Sequence, residues 1–140
     1  MTTARWAVSA AGLLGGCLLL SGCGTAGGTD AAAPDAYTVT NLVVHGQTVE
    51  PVTALIEIDR TYGDLVIDTD CGTALGAVAL HDDGRAAVSL PGGSDRPCDP
   101  ATRTGVDTLI AALERTATWS ESASAIVFSN ADRDVITIRG

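Results

Sequence analysis

The chain contains no lysine; arginine supplies all eight basic side chains among 140 residues, against 17 acidic ones. A net charge of -9 argues against a nucleic-acid partner, whose phosphates call for a basic face. It argues equally against electrostatic attraction to anionic lipid. Arginine without lysine, amid abundant alanine, glycine and aspartate, fits a genome of high G+C content. Histidine is scarce too, with only His45 and His81. There is no HExxH, no GxSxG, no Walker loop and no dinucleotide fingerprint. A catalytic triad is defined by geometry rather than chain order. Ser120, Ser122, Ser124 and Ser129 offer hydroxyls, but no histidine and acid stand at a recognisable spacing. No enzyme is expected, and no cofactor. Nor is there a CxxC pair, an internal repeat or a second domain.

What is present begins at the N-terminus. Arg5 precedes an uncharged run from Trp6 to Gly22, 17 residues long, and the next charge is Asp30. A transmembrane helix needs about 20 apolar residues. This run is shorter, rich in glycine and followed by no basic stop-transfer cluster, which describes an export signal. Its end, Leu20, Ser21, Gly22 and Cys23, resembles the lipobox of bacterial lipoproteins. That resemblance implies a diacylglyceryl group on the Cys23 sulfur and cleavage before it, with 1–22 as signal peptide. Two acyl chains anchor firmly, since each buried CH2 contributes roughly 0.8 kcal/mol. The implied location is the outer face of the bacterial cell membrane, with the lipid as membrane contact. Leu14 to Cys17 is a weaker copy of the pattern, and a plain secretory signal with an incidental cysteine is the alternative. Residues 23–36 are small and nearly free of large apolar groups, too poor in them to fold, and read as a flexible tether.

Removing residues 1–22 takes away Arg5 and leaves 17 acids against seven arginines, a net charge of -10. Residues 37–140 suffice for one domain with one modest core. Cys71 and Cys98 remain, and in an oxidising compartment a disulfide is the plain reading. By the chain-entropy argument such a bridge contributes about 3 to 4 kcal/mol.

Strands are expected at 37–44, 53–59, 64–68, 74–81, 86–90, 116–120, 125–129 and 135–138, from β-branched runs and alternation such as Ile56 and Ile58 opposite Glu57 and Asp59. HDDGR at 81–85 is a hairpin turn. Residues 69–76 read as a small-residue connection and 91–97, PGGSDRP, as a loop. Asp99 as cap, Pro100 in the first turn and the stripe Val106, Leu109, Ile110, Leu113 give one helix, with Gly105 weakening its start. Strands, one main helix and a closing strand pair predict an α+β fold with a mostly antiparallel sheet.

That order resembles the META domain of HslJ-type exported bacterial proteins. Asp70-Cys71-Gly72 is similar to the family's Gly-Cys-Asn segment. Asp95-Arg96-Pro97-Cys98, just before the helix, is similar to its Thr-x-Met-Ala-Cys stretch. The helix, the strand at Trp119 and two terminal strands match its ending. The likeness implies a META-like domain over 37–140 and links to envelope stress and drug tolerance, with no reaction or ligand.

Five further sets bear on function. His45 reads as a turn residue. His81, Asp82 and Asp83 form a solvated turn or a metal contact. Asp64, Asp68 and Asp70 mark the wet face of a sheet or a cation site, and Asp132 and Asp134 a solvent-facing turn. Trp119 is either core or, if exposed, a candidate binding surface. The function expected is a non-enzymatic envelope lipoprotein that binds or supports an envelope protein partner, with a small-ligand or lipid-carrying module as the alternative.

Overall fold

The structure, a computed structural model, describes residues 33–140. The strands are β1 (Asp35–Val44), β2 (Gln47–Val49), β3 (Ala54–Asp59), β4 (Asp64–Thr69), β5 (Gly72–Leu80), β6 (Ala86–Asp95), β7 (Thr118–Ser122), β8 (Ala125–Ser129) and β9 (Val135–Arg139). The helix α1 (Pro100–Glu114) stands between β6 and β7. One sheet runs β6-β5-β4-β3-β1-β9-β8-β7, with β2 paired to β1. Every pairing is antiparallel.

The period-two pattern decides which face is buried. In β3, Ile56 and Ile58 are buried while Leu55 is exposed. Ile56 sits opposite Ile67 and Ile58 opposite Leu65. Phe128 faces Ile136 and Ile126 faces Ile138, and all four are buried. Such cross-strand pairs are the unit of sheet stabilisation, and each fully buried side chain of this size contributes roughly 1.5 to 3 kcal/mol. Leu109, Ala112 and Leu113 of α1 complete the same core.

The sheet curls into a half-barrel, and its two edges meet at one corner. There the Ala86 N–H donates to the Ala117 carbonyl at 2.9 Å and the Trp119 N–H to the Gly84 carbonyl at 2.8 Å. α1 lies against β6 and β9. Asp99 caps the helix, accepting from the N–H groups of Ala101 and Thr102 at 3.0 Å each, with Pro100 in the first turn. The Thr102 hydroxyl and these amides hold its carboxyl below the usual range. Gly105 lies within the helix because an added Cβ would overlap the Val52 side chain.

The α+β expectation is overturned: the described residues form a mainly β fold, nine strands and a single helix of 15 residues. Glycine and proline mislead there. Of residues 69–76, read as a connection, only 70–71 form the turn, while Thr69 ends β4 and 72–76 begin β5, and 91–95, read as loop, extend β6. Pro91 is tolerated because β6 is an edge strand and needs no outward N–H at that point. A bulge lies alongside: Leu75 pairs with Gly92 and Ala77 with Ser89, so Leu90 and Pro91 together oppose Gly76. β1 begins at Asp35, two residues inside the segment 23–36 read as tether.

Asp134 does not face solvent; its side chain is fully buried. One oxygen accepts from the His45 N–H at 2.8 Å. The other accepts from the Asn130 amide at 3.0 Å and the Arg115 Nε at 2.9 Å. The carboxylate thus ties together the β1–β2 turn, the β8–β9 turn and the end of α1. Burial opposes its ionisation, yet the His45 amide, Asn130 and Arg115 outweigh that and hold its carboxyl below the ordinary range.

Candidate binding cleft

β6 leaves the closed corner and runs beside α1, which returns in the opposite sense. Near the corner the Leu90 N–H finds the Glu114 carboxylate at 3.2 Å. Farther along, strand and helix part, and a cleft of about 280 Å³ opens between them. Gly93, Ser94 and Asp95 line one side, Arg103, Asp107 and Ile110 the other, and Thr69 and Cys71 lie at its floor.

The far end of the cleft is tied down covalently. Cys71 and Cys98 form a disulfide, with Cα atoms 5.1 Å apart. The Arg96 N–H donates to the Cys71 carbonyl at 2.8 Å, and Arg96 Nη2 pairs with Asp68 at 2.7 Å. Arg103 reaches back from α1 to Asp95 at 3.0 Å and to the Arg96 carbonyl at 2.9 Å. These ion pairs are largely exposed, so each contributes little alone; together they fix where the helix starts. Replacing Cys71 and Cys98 by alanine is expected to cost about 3 to 4 kcal/mol, measured as a lower urea midpoint with a somewhat steeper slope, because the unfolded chain without its cross-link exposes more surface. A loss under about 1 kcal/mol would show that the ion pairs hold the junction without the bridge.

Trp119 lies elsewhere, at the closed corner. It is half-buried, packs against the core, sits opposite Phe128 in the β7–β8 pair, and donates from Nε1 to the His81 carbonyl at 2.9 Å. Its rim borders a hollow of about 180 Å³ with Arg60, Leu80 and Asp82. Arg60 bridges there to Glu121 at 3.0 Å, the Tyr37 hydroxyl at 3.1 Å and Asp35 at 3.3 Å. The Glu121 and Tyr37 contacts raise the Arg60 pKa further above its ordinary value, and Arg60 lowers that of Glu121.

The remaining candidates separate. Asp64 and Asp68 share the outer face of β4, but four strand residues set them roughly 13 Å apart, and Asp70 lies past the strand end. Asp83 accepts from the Arg85 N–H and guanidinium, which hold its carboxyl below the usual range. His45 occupies its turn with a positive φ of 52°. Among the described residues, no three histidine, cysteine or acidic side chains are grouped to hold a metal ion, and no helix is long and apolar enough to cross a membrane. Cys23 and the signal peptide lie outside the described residues. The β6 edge at Gly93 and Asp95 and the Asp107 side chain are places that the residue pattern did not mark, and the Asp134 hub is one that it marked only as a solvent-facing turn; Pro91 within a run was the available sign of an edge strand.

The chain matches no protein-family model and no curated protein. Its fold is similar to two solved structures. A crystal structure of a DUF4847 family protein from Bacteroides vulgatus gives a TM-score of 0.58 at 10% identity, over 76% of this chain and 92% of that one. An NMR structure of a protein from Burkholderia xenovorans gives 0.58 at 14% identity, over 74% and 79%. At such identities the likeness shows the fold alone.

Proposed function

We propose that this chain is a non-enzymatic lipoprotein of the cell envelope, a META-like binding or support module held by a lipid on Cys23. The observation that carries the reading is the uncharged run ending Leu20-Ser21-Gly22-Cys23. β1 starts twelve positions after that cysteine. Read as a tether, a chain of that length would have an r.m.s. span of roughly 20 Å, which would hold a domain clear of headgroups. The absence of any recognisable catalytic motif favours binding over chemistry. A small-ligand or lipid carrier is the weaker alternative. Phe128, Leu109 and Leu113 fill the half-barrel interior, and the cleft beside α1 is lined by charged and polar as well as apolar groups, whereas small-molecule sites are lined predominantly by apolar and aromatic side chains.

Intact mass of the protein taken from its own membranes, alkylated without reduction, tests this reading. The expected species is residues 23–140 plus a diacylglyceryl group, with Cys71 and Cys98 unalkylated. A non-lipidated species, cut elsewhere or uncut, would overturn the anchor.

A further inference from the structure

The second half of β6 has no strand on its outer side among the described residues. The phase of its ladder follows from one bond, the Arg96 N–H to the Cys71 carbonyl. Asp95 lies opposite Gly72 and Gly93 opposite Ala74. With that bond in place, both are the non-hydrogen-bonded kind of antiparallel pair, in which a residue's own N–H and C=O point away from the partner strand. Gly93 and Asp95 therefore turn four backbone groups outward, on the side where α1 stands across the cleft. On the same edge the Leu90 N–H is already answered by Glu114.

We propose that this cleft takes an extended polypeptide segment of a partner protein as an added strand on Gly93 and Asp95, and selects a cationic side chain through Asp107. The proposal deepens the binding-module reading and rests on it. Strand addition draws affinity from main-chain bonds and specificity from the side chains flanking the groove. Asp107 lines the cleft and makes no hydrogen bond or ion pair with any described residue. Arg103, one turn away, does not neutralise it, being held by Asp95 and the Arg96 carbonyl. The segment after Cys23 carries a net charge of -10, so lysine or arginine is the complementary partner chemistry. The same charges disfavour a second copy, which would set Asp95 and Asp107 against their own kind. Pro91 has no N–H and the bulge beside it bends the edge, so addition stops after a short segment. These are devices that keep an open edge from aggregating.

The test uses the full chain, isotope-labelled, in detergent micelles, with an acetylated and amidated peptide Val-Thr-Lys-Val-Thr as probe. Saturating peptide should slow amide exchange at Gly93 and Asp95 by about tenfold. N-methylation of alternate peptide amides should abolish that protection. Norleucine in place of lysine should weaken binding to the parent chain by about threefold and bind Asp107→Asn as well as the lysine peptide does. Unchanged exchange at both amides would overturn the proposal. So would protection that survives N-methylation, or protection that rises with protein concentration in the absence of peptide, which would assign the edge to a second copy. The lipid on Cys23 is read by mass and is unaffected by any of these outcomes, so the two readings fail separately.

Discussion

Replacing Asp134 by alanine lowers the melting temperature by roughly 10 to 20 °C, the consequence of about 3 kcal/mol lost from a domain of this size. The side chain is fully buried, and its removal leaves the His45 N–H without its acceptor and the Asn130 amide with only the Arg115 carbonyl. Arg115 suffers less, because its side chain is 36% exposed and water can take over. Asp134→Asn keeps the shape and some of the hydrogen bonds, and should cost about half as much. The pH dependence follows from the same contacts. The folded-state pKa of Asp134 lies below its ordinary value, and the unfolded value is about 3.9. Its stabilisation is therefore complete above about pH 4 to 5 and disappears as pH falls through the folded value. Thermal melts from pH 7 down to pH 2 should show a shallower acid limb in Asp134→Asn than in the parent. Parallel limbs would show that Asp134 contributes shape alone.

Gly76→Ala is expected to cost about 3 kcal/mol or more, or to prevent folding. Two residues of β6 crowd against this one position of β5, and an added Cβ would overlap the Ser89 carbonyl oxygen and press on the Leu90 Cα. The obstacle is main chain, so no rotamer change relieves it. Gly92→Ala is the matched control. Its Cβ would meet the Leu75 carbonyl oxygen at 3.7 Å, ordinary contact, and should change stability by less than about 1 kcal/mol. Urea denaturation of the two variants reads the difference. Equal losses would mean that any side chain in this strand pair is disruptive and that the bulge has no special part in it.

These two sites also show where the amino-acid sequence was legible. Strands built from alternating β-branched residues, such as β3 with Ile56 and Ile58, fall where the alternation places them. The helix, with its Asp99 cap and the Val106, Leu109, Leu113 stripe, does so too. The start of β5 and the end of β6 escaped because Gly72, Gly76, Gly92 and Gly93 carry no side chain to alternate. Their role is close approach of two backbones, a tertiary demand that local composition does not express. Asp134 was misread for the opposite reason. Its turn, NADRD, is polar throughout, and only the return of Arg115 at the end of α1 brings a cation to it. The cleft was invisible because it exists only where α1 diverges from β6.

The order of strands has a last consequence, for the time course of folding. β1 is paired on one side with β3 and on the other with β9, so Thr38 lies opposite both Leu55 and Arg139. The middle of the sheet thus joins the two extremes of the domain. A nascent chain that has not yet released its final strand can zip β3 through β6 as successive hairpins, but the far flank of β1 stays open. Pairings of such long sequence separation place a domain among the slower folders, in milliseconds to seconds. Release of the C-terminal strand, rather than any early hairpin, sets the moment at which the sheet is sealed.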